Sequence, residues 1–280
     1  MRFRQRLVLK YIRTKFALLS ALSKRKAAQK AFQLFCTPQS RNRNKLPKIF
    51  EQAEKVEFTF HNFAIKGYRW NRSSDKRILI LHGFESSVIN FDRYIKPLTR
   101  KGYSVLCFDA PAHGRSSGKE INVLLYRDFI DYINQTLGPV KGFIAHSLGG
   151  LALSLAIERW KHDDTHKIVY IAPAVETTTA INSFFSFLGL DQEVRKEFER
   201  LIEMKSGHHP SWFSIYRAAK HIKADVLFFQ DQNDNMTPLS DVEAIIKLNL
   251  SNFKFVITEG LGHRRIYRDN QVSKAIIDFF

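Results

Sequence analysis

The stretch GFIAHSLGGLAL runs from Gly142 to Leu153. Its first residues, GFIA, are apolar or small and suit a strand, while LGGLALSLAIERW has helical spacing. Between them stands a polar pair, His146-Ser147. A buried strand running into a buried helix gains nothing from a hydroxyl, so the pair needs a reason. Small residues at Ala145, Gly149 and Gly150 let a sharp strand-to-helix turn close without side-chain clashes. Such a turn strains the serine backbone and lifts its hydroxyl above the end of the sheet. It also sets Ser147 at a helix start, where free N–H groups and the positive dipole end favour developing negative charge. Ser147 is either a packed turn residue or a nucleophile, and its surroundings must decide.

Outward from this stretch, short apolar runs alternate with helical ones. The runs are ILILHG (78–83), YSVLCFDA (103–110), GFIAHS (142–147), KIVYIAP (167–173), DVLFFQD (225–231) and FKFVITEG (253–260). Uninterrupted runs of this kind suit parallel strands buried on both faces. Between them, FDRYIKPLTRKG, VLLYRDFIDYINQTLG, DVEAIIKLNL and QVSKAIIDFF read as helices. Upstream, VEFTF and NFAIKGYRW form a candidate hairpin. The expected fold class is therefore α/β, a mostly parallel sheet with helices on both faces. The roughly 50 residues between Pro173 and Asp225 exceed an ordinary crossover. They predict a small helical cap at about 174–220, placed over one end of the sheet.

The chain has 280 residues, 44% hydrophobic and 25% charged, as suits a globular protein with a sizeable core. Its net charge of +17 is uneven. Residues 1–50 hold fourteen Lys and Arg and no Asp or Glu; the remainder sets 30 basic residues against 27 acidic ones. The basicity thus belongs to an N-terminal helical extension, 1–50, ahead of a nearly balanced domain, 51–280. It does not mark the whole protein as a nucleic-acid binder, and no nucleic-acid fold accompanies it. In the first helical segment Arg6, Lys10 and Arg13 share one side, and Leu7, Val8, Tyr11, Ile12, Leu18, Leu19 and Leu22 the other, with Lys15 intruding. One reading is peripheral contact with an anionic membrane through residues 1–35; the other is a solvated appendage. The uncharged run FALLSALS is short and follows scattered charges, which argues against a signal peptide; an acid-free amphipathic start also suits a transit peptide. No run of 18 uncharged apolar residues occurs. Two cysteines, Cys36 and Cys107, make no disulfide framework and point to a reducing, cytoplasmic setting.

The segment Ala145-His146-Ser147-Leu148-Gly149 resembles the nucleophile elbow G-x-S-x-G of the α/β-hydrolase family, with Ala for the first Gly. Order and context strengthen the resemblance. HGFESS (82–87) follows the ILIL strand, and FDAPAHGRSSG (108–118) looks like the family's next strand loop. QDQNDNMTP (230–238) matches the loop that presents the acid, and GLGHRRI (260–266) follows the last strand. The resemblance covers roughly residues 56–280. It implies Ser147 as nucleophile, Asp234 as acid with Asp231 as fallback, and His263 as base, in the family's chain order. It implies an oxyanion hole from the N–H groups of Phe84 and Leu148. The expected activity is hydrolysis of carboxylic esters or thioesters of a small-molecule acyl substrate, by an acyl-Ser147 intermediate and without metal or organic cofactor. The same machinery serves an acyltransferase or peptidase. A non-catalytic member of the fold would be marked by a broken triad, and here all three positions are filled. His82 and His113 are expected to brace loops, and His162 and His166 to hold no metal. His146 and the cap residues Phe184, Phe185 and Trp212 are the substrate-pocket candidates, the alternative for the aromatics being glue between cap and body.

Overall fold

The computed structural model describes residues 3–280, without the side chains of residues 3–5. Its strands are β1 (Glu54–Phe60), β2 (Phe63–Trp70), β3 (Arg77–Leu81), β4 (Ser104–Phe108), β5 (Gly142–His146), β6 (Lys167–Ile171), β7 (Asp225–Asp231) and β8 (Phe253–Thr258). Each falls on a run that the sequence marks as a strand. They form one eight-stranded sheet in the order β1-β2-β4-β3-β5-β6-β7-β8. β1 and β2 are an antiparallel hairpin, β2 lies antiparallel to β4, and every later pairing is parallel. The helices are α1 (Phe3–Leu22), α2 (Lys24–Cys36), α3 (Asp92–Arg100), α4 (Val123–Leu137), α5 (Leu148–Ile157), α6 (Thr177–Leu188), α7 (Gln192–Ser206), α8 (Ile215–Ala219), α9 (Leu239–Ile246), α10 (Gly262–Arg265) and α11 (Asn270–Phe279).

Strand order explains why one end of the sheet matters. The chain goes from β3 outward to β4, then crosses back to place β5 on the other side of β3. The loops leaving β3 and β5 therefore part in opposite directions and open a crevice at their carboxyl ends. Leu81 pairs with Ala145 across that gap, so Gly83 and Ser147 emerge side by side. β4 and β5 are buried along their full length, as is α5 from Gly149 to Ile157. A Cβ on Gly150 would come within 2.6 Å of Pro173 Cβ, and one on Gly149 within 2.8 Å of the His82 carbonyl. The Gly-Gly pair thus lets α5 lie directly on the strand ends.

By its contacts the chain divides into two compact units. The larger joins Pro38–Val175 with Ser214–Phe280 and contains the whole sheet. The smaller joins the residues up to Thr37 with Glu176–Phe213. This grouping differs from the sequence division at residues 50 and 51, because the N-terminal helices pack on the insertion. α7 presents a narrow apolar stripe of Val194, Phe198 and Ile202, and α2 meets it with Ala27, Ala28 and Ala31, small enough for close approach. Phe32 and Phe35 close the seam with ring centroids 5.9 and 5.7 Å from Phe198. Asp191 caps α7 by accepting from the Val194 N–H, and its carboxylate also accepts from Ser20 Oγ (2.8 Å) and Lys24 Nζ (2.7 Å). The Lys24 ammonium, then the Val194 N–H, pull that carboxyl down to about 2. α1 follows a different wheel from the one read in the sequence. Ile12 and Leu19 turn inward with Phe16, leaving Leu7, Val8, Tyr11, Leu18 and Leu22 exposed. No described helix is long and apolar enough to cross a membrane. Cys36 and Cys107 are both buried, and neither forms a disulfide among the described residues.

Candidate active site

Ser147 sits at φ +52° and ψ −123°, a backbone region costly for any residue with a Cβ. The turn is pinned from both sides: the Ser147 N–H donates to the Ile171 carbonyl (3.3 Å), and the Ala174 N–H donates to the Ser147 carbonyl (3.0 Å). The hydroxyl lies at the start of α5, 3.0 Å from His263 Nε2. His263 stands in the short helix α10 that follows β8, and its Nδ1 is 2.8 Å from Asp234 Oδ2. A carboxylate only accepts, so Nδ1 carries the proton and Nε2 presents its lone pair to Ser147 Oγ–H. The structure thus brings together the three side chains nominated from distant parts of the sequence.

Asp234 is held as an anion by its own loop. Oδ1 accepts from the N–H groups of Met236 (2.8 Å) and Thr237 (3.0 Å), and Oδ2 from Thr237 Oγ1 (2.7 Å). Burial works to raise its carboxyl; the hydrogen bond and charge of His263, with the Thr237 bonds, outweigh it and hold the group below the ordinary carboxylate range. Asp231, the fallback acid, is committed elsewhere: it accepts from Thr258 Oγ1 (2.8 Å) and from the N–H groups of Leu261 (2.9 Å) and Asn233 (3.0 Å). It ties the β7 loop to the segment that carries His263.

The loop after β3 reaches over the serine. A Cβ on Gly83 would lie 2.7 Å from Ser147 Cβ and 2.9 Å from His146 Nδ1, so only glycine fits. Next to it, neither the Phe84 N–H nor the Leu148 N–H meets an acceptor among the described residues. Two histidines set this loop. His82 Nε2 accepts from the Ala110 N–H (3.0 Å), and its Nδ1 donates to the Gly83 carbonyl (2.8 Å). His113 Nε2 accepts from the N–H of Glu85 (3.0 Å), which has φ +54°. Burial pushes His82 down to about 4; burial, then the neighbouring His82, pushes His113 down to about 3. Both are therefore neutral braces, as expected from the sequence.

His146, nominated for the pocket, is buried. Its Nε2 donates to the His263 carbonyl (3.0 Å), and its ring lies 4.8 Å from those of His263 and Tyr267. Burial, then the adjacent His263, lowers it to about 3. Phe185 is buried in the smaller unit against Phe198, 5.1 Å between centroids, and Phe184 packs on Phe35 at 5.2 Å. Trp212 stacks on His208 at 4.0 Å. Within their unit these rings pack on one another and on α2 and α7. Reading the sequence alone missed Thr237, whose spacing of three from Asp234 is the usual turn signal, and Tyr126, whose hydroxyl donates to the His82 carbonyl (2.9 Å). Among the described residues no cluster of His, Cys, Asp and Glu side chains is placed to hold a metal ion.

The family model for serine aminopeptidase, S33, a group of α/β hydrolases, matches residues 72–215, just over half of the chain. The chain belongs to this α/β-hydrolase family. Protein YqkD of Bacillus subtilis (strain 168) is 23% identical over 250 residues, spanning 79% of this chain and 77% of its own. The esterase Pf2001 of Pyrococcus furiosus superposes with a TM-score of 0.64 at 22% identity, covering 87% of this chain and 96% of that one. The thioesterase domain from the curacin biosynthetic pathway gives a TM-score of 0.57 at 17% identity, over 80% and 99% of the two chains. At these identities the solved structures share the fold with this hydrolase.

Proposed function

We propose that this hydrolase cleaves carboxylic esters or thioesters of a small-molecule acyl substrate through an acyl-Ser147 intermediate. As Ser147 Oγ attacks the carbonyl carbon, its proton passes to His263 Nε2. Asp234 holds the imidazole tautomer and stabilises the imidazolium that forms. The former carbonyl oxygen becomes an oxyanion, received by the N–H groups of Phe84 and Leu148; loss of one such donor typically costs about 3 kcal/mol of transition-state stabilisation. Collapse expels the alcohol or thiol, which takes the proton from Nε2 and leaves the acyl group on Oγ. Water then attacks the acyl carbon, gives its proton to His263, and releases the carboxylic acid as Ser147 regains its hydrogen. Two cysteines, Cys36 and Cys107, joined in no disulfide among the described residues, fit work in a reducing compartment such as the cytoplasm.

The observation that carries this reading is the unbroken line from Ser147 Oγ through His263 to Asp234, under two unpaired N–H groups. Its test is reaction with a fluorophosphonate, mapping of the modified residue, and a profile of p-nitrophenyl esters of rising acyl length. Labelling is expected on Ser147 alone and is lost in Ser147→Ala together with about 10⁴-fold or more of kcat. Labelling elsewhere, or a Ser147→Ala variant that keeps its esterase rate, refutes the reading. The matched family's description favours one second reading, a peptidase; aminoacyl anilides cleaved faster than esters would select it. Transfer to an added alcohol in place of water would mark an acyltransferase.

A further inference from the structure

The geometry of the smaller unit points to a second surface: we infer that the outer face of α1 docks on an anionic phospholipid membrane. The helix carries two apolar stripes. The inner one, Leu9, Ile12, Phe16 and Leu19, is buried or half-buried within the unit. The outer one, Leu7, Tyr11, Leu18 and Leu22, is 53%, 68%, 65% and 84% exposed, and Val8 beside it is 58% exposed. At about 100° per residue these four fall within about 60° of arc, facing away from the inner stripe. A single exposed leucine is ordinary, but a row of large apolar side chains along one helix marks an interaction face.

Charge selects the occupant. Lys10 flanks the stripe on one side and Lys15 on the other, both exposed, with the exposed Arg6 and Arg13 farther round the helix. Arg13 donates to the Phe187 carbonyl (3.1 and 2.6 Å) and so ties its side of the helix to its own unit. α1 and α2 contain no acidic residue, and Arg25, Lys26 and Lys30 extend the exposed basic surface onto α2. A second copy seated on this face would bring two sets of cations together, which disfavours self-pairing. An anionic lipid surface satisfies both features at once. The leucines enter the boundary of the acyl region, Tyr11 sits at headgroup level, and the Lys and Arg heads reach the phosphates along their own stems. A twenty-residue helix lies along about 30 Å of such a surface.

The test is co-sedimentation of the full chain with phosphatidylcholine vesicles containing phosphatidylserine, and with pure phosphatidylcholine. The wild type is expected to pellet with the anionic vesicles only and to be released by high salt. Lys10→Gln/Lys15→Gln weakens partitioning about 25-fold, at about fivefold per cation near the surface. Leu7→Gln/Leu18→Gln/Leu22→Gln weakens it at least tenfold. Met204→Gln, an exposed apolar position on α7 of the same unit, leaves it unchanged. All three variants replace exposed side chains, and their melting curves are expected to match the wild type. Three results overturn the inference: equal pelleting with neutral and anionic vesicles, a triple variant that pellets like the wild type, or light scattering that shows a dimer broken by that variant with no vesicle binding.

Discussion

Asp231 and Asp234 leave the same strand end and are both buried, yet their partners assign them different work. Asp234 faces His263 Nδ1, whereas Asp231 gathers donors from Thr258, Leu261 and Asn233. An amide at 234 offers the imidazole a donor where it needs an acceptor, so Asp234→Asn is expected to lower kcat about 10⁴-fold. An amide at 231 sets an NH₂ group against donors that then lose their acceptor. Asp231→Asn should cost about 1–3 kcal/mol of stability while kcat stays within about tenfold. Ester kinetics and urea midpoints on both variants decide the matter; an Asp231→Asn protein that is folded but as inactive as Asp234→Asn removes Asp234 from its role. The resemblance ranks Asp234 ahead of Asp231 by the following Thr-Pro, but neither spacing reveals which carboxylate turns toward a histidine about 30 residues on. His146 is next to the serine in sequence, yet its ring is buried with Nε2 donating to the His263 carbonyl, a partner that adjacency along the chain does not reveal.

At the scale of elements, the centre of the sheet was legible because strands such as β4, β5 and β7 are nearly continuous apolar runs, and continuity needs no knowledge of partners. α8 and α10 are too short for any periodicity to declare them. The pairing of α2 with α7 was hidden for a different reason: each helix shows its own apolar stripe, but nothing in either names a partner more than 150 residues away. The consequence is that the N-terminal helices are part of a core and not a detachable tail. Removing residues 1–37 uncovers Val194, Phe198 and Ile202 and takes Ser20 and Lys24 from Asp191. Truncation is therefore expected to speed limited proteolysis within 176–213 by an order of magnitude or more, with cuts in α6 and α7 appearing first. An unchanged cleavage pattern in the truncated chain means that the helices contribute nothing to that unit.

For the whole molecule, the buried histidines of the larger unit predict how it meets acid. His82, His113 and His146 surround the site as neutral rings, lowered from the ordinary 6.5 to about 4, 3 and 3. Neutrality suits the proposed chemistry, since a charged His146 beside His263 would oppose the imidazolium formed during attack. It carries a linked cost below neutrality. Above about pH 6.5 these rings are neutral in both folded and unfolded chains and leave stability independent of pH. Below it the unfolded chain binds protons that the folded one refuses, so stability falls progressively until pH reaches about 4 for His82 and about 3 for the other two. Asp231 and Asp234, lowered in the fold, add their own loss only when pH drops below the ordinary 3.8. Unfolding at pH 5 should therefore take up about three protons, and the urea midpoint should decline steadily from pH 7 to pH 4.5, a loss on the order of 5–10 kcal/mol, about 2–3 for each ring. Measuring the midpoint against pH, with His113→Gln to remove one titrating site, checks both sign and source: the variant should show a shallower slope. A midpoint flat from pH 7 to 4.5, or one that rises as pH falls, contradicts the burial of these rings as neutral groups and with it the rigid brace assigned to the loop over Ser147.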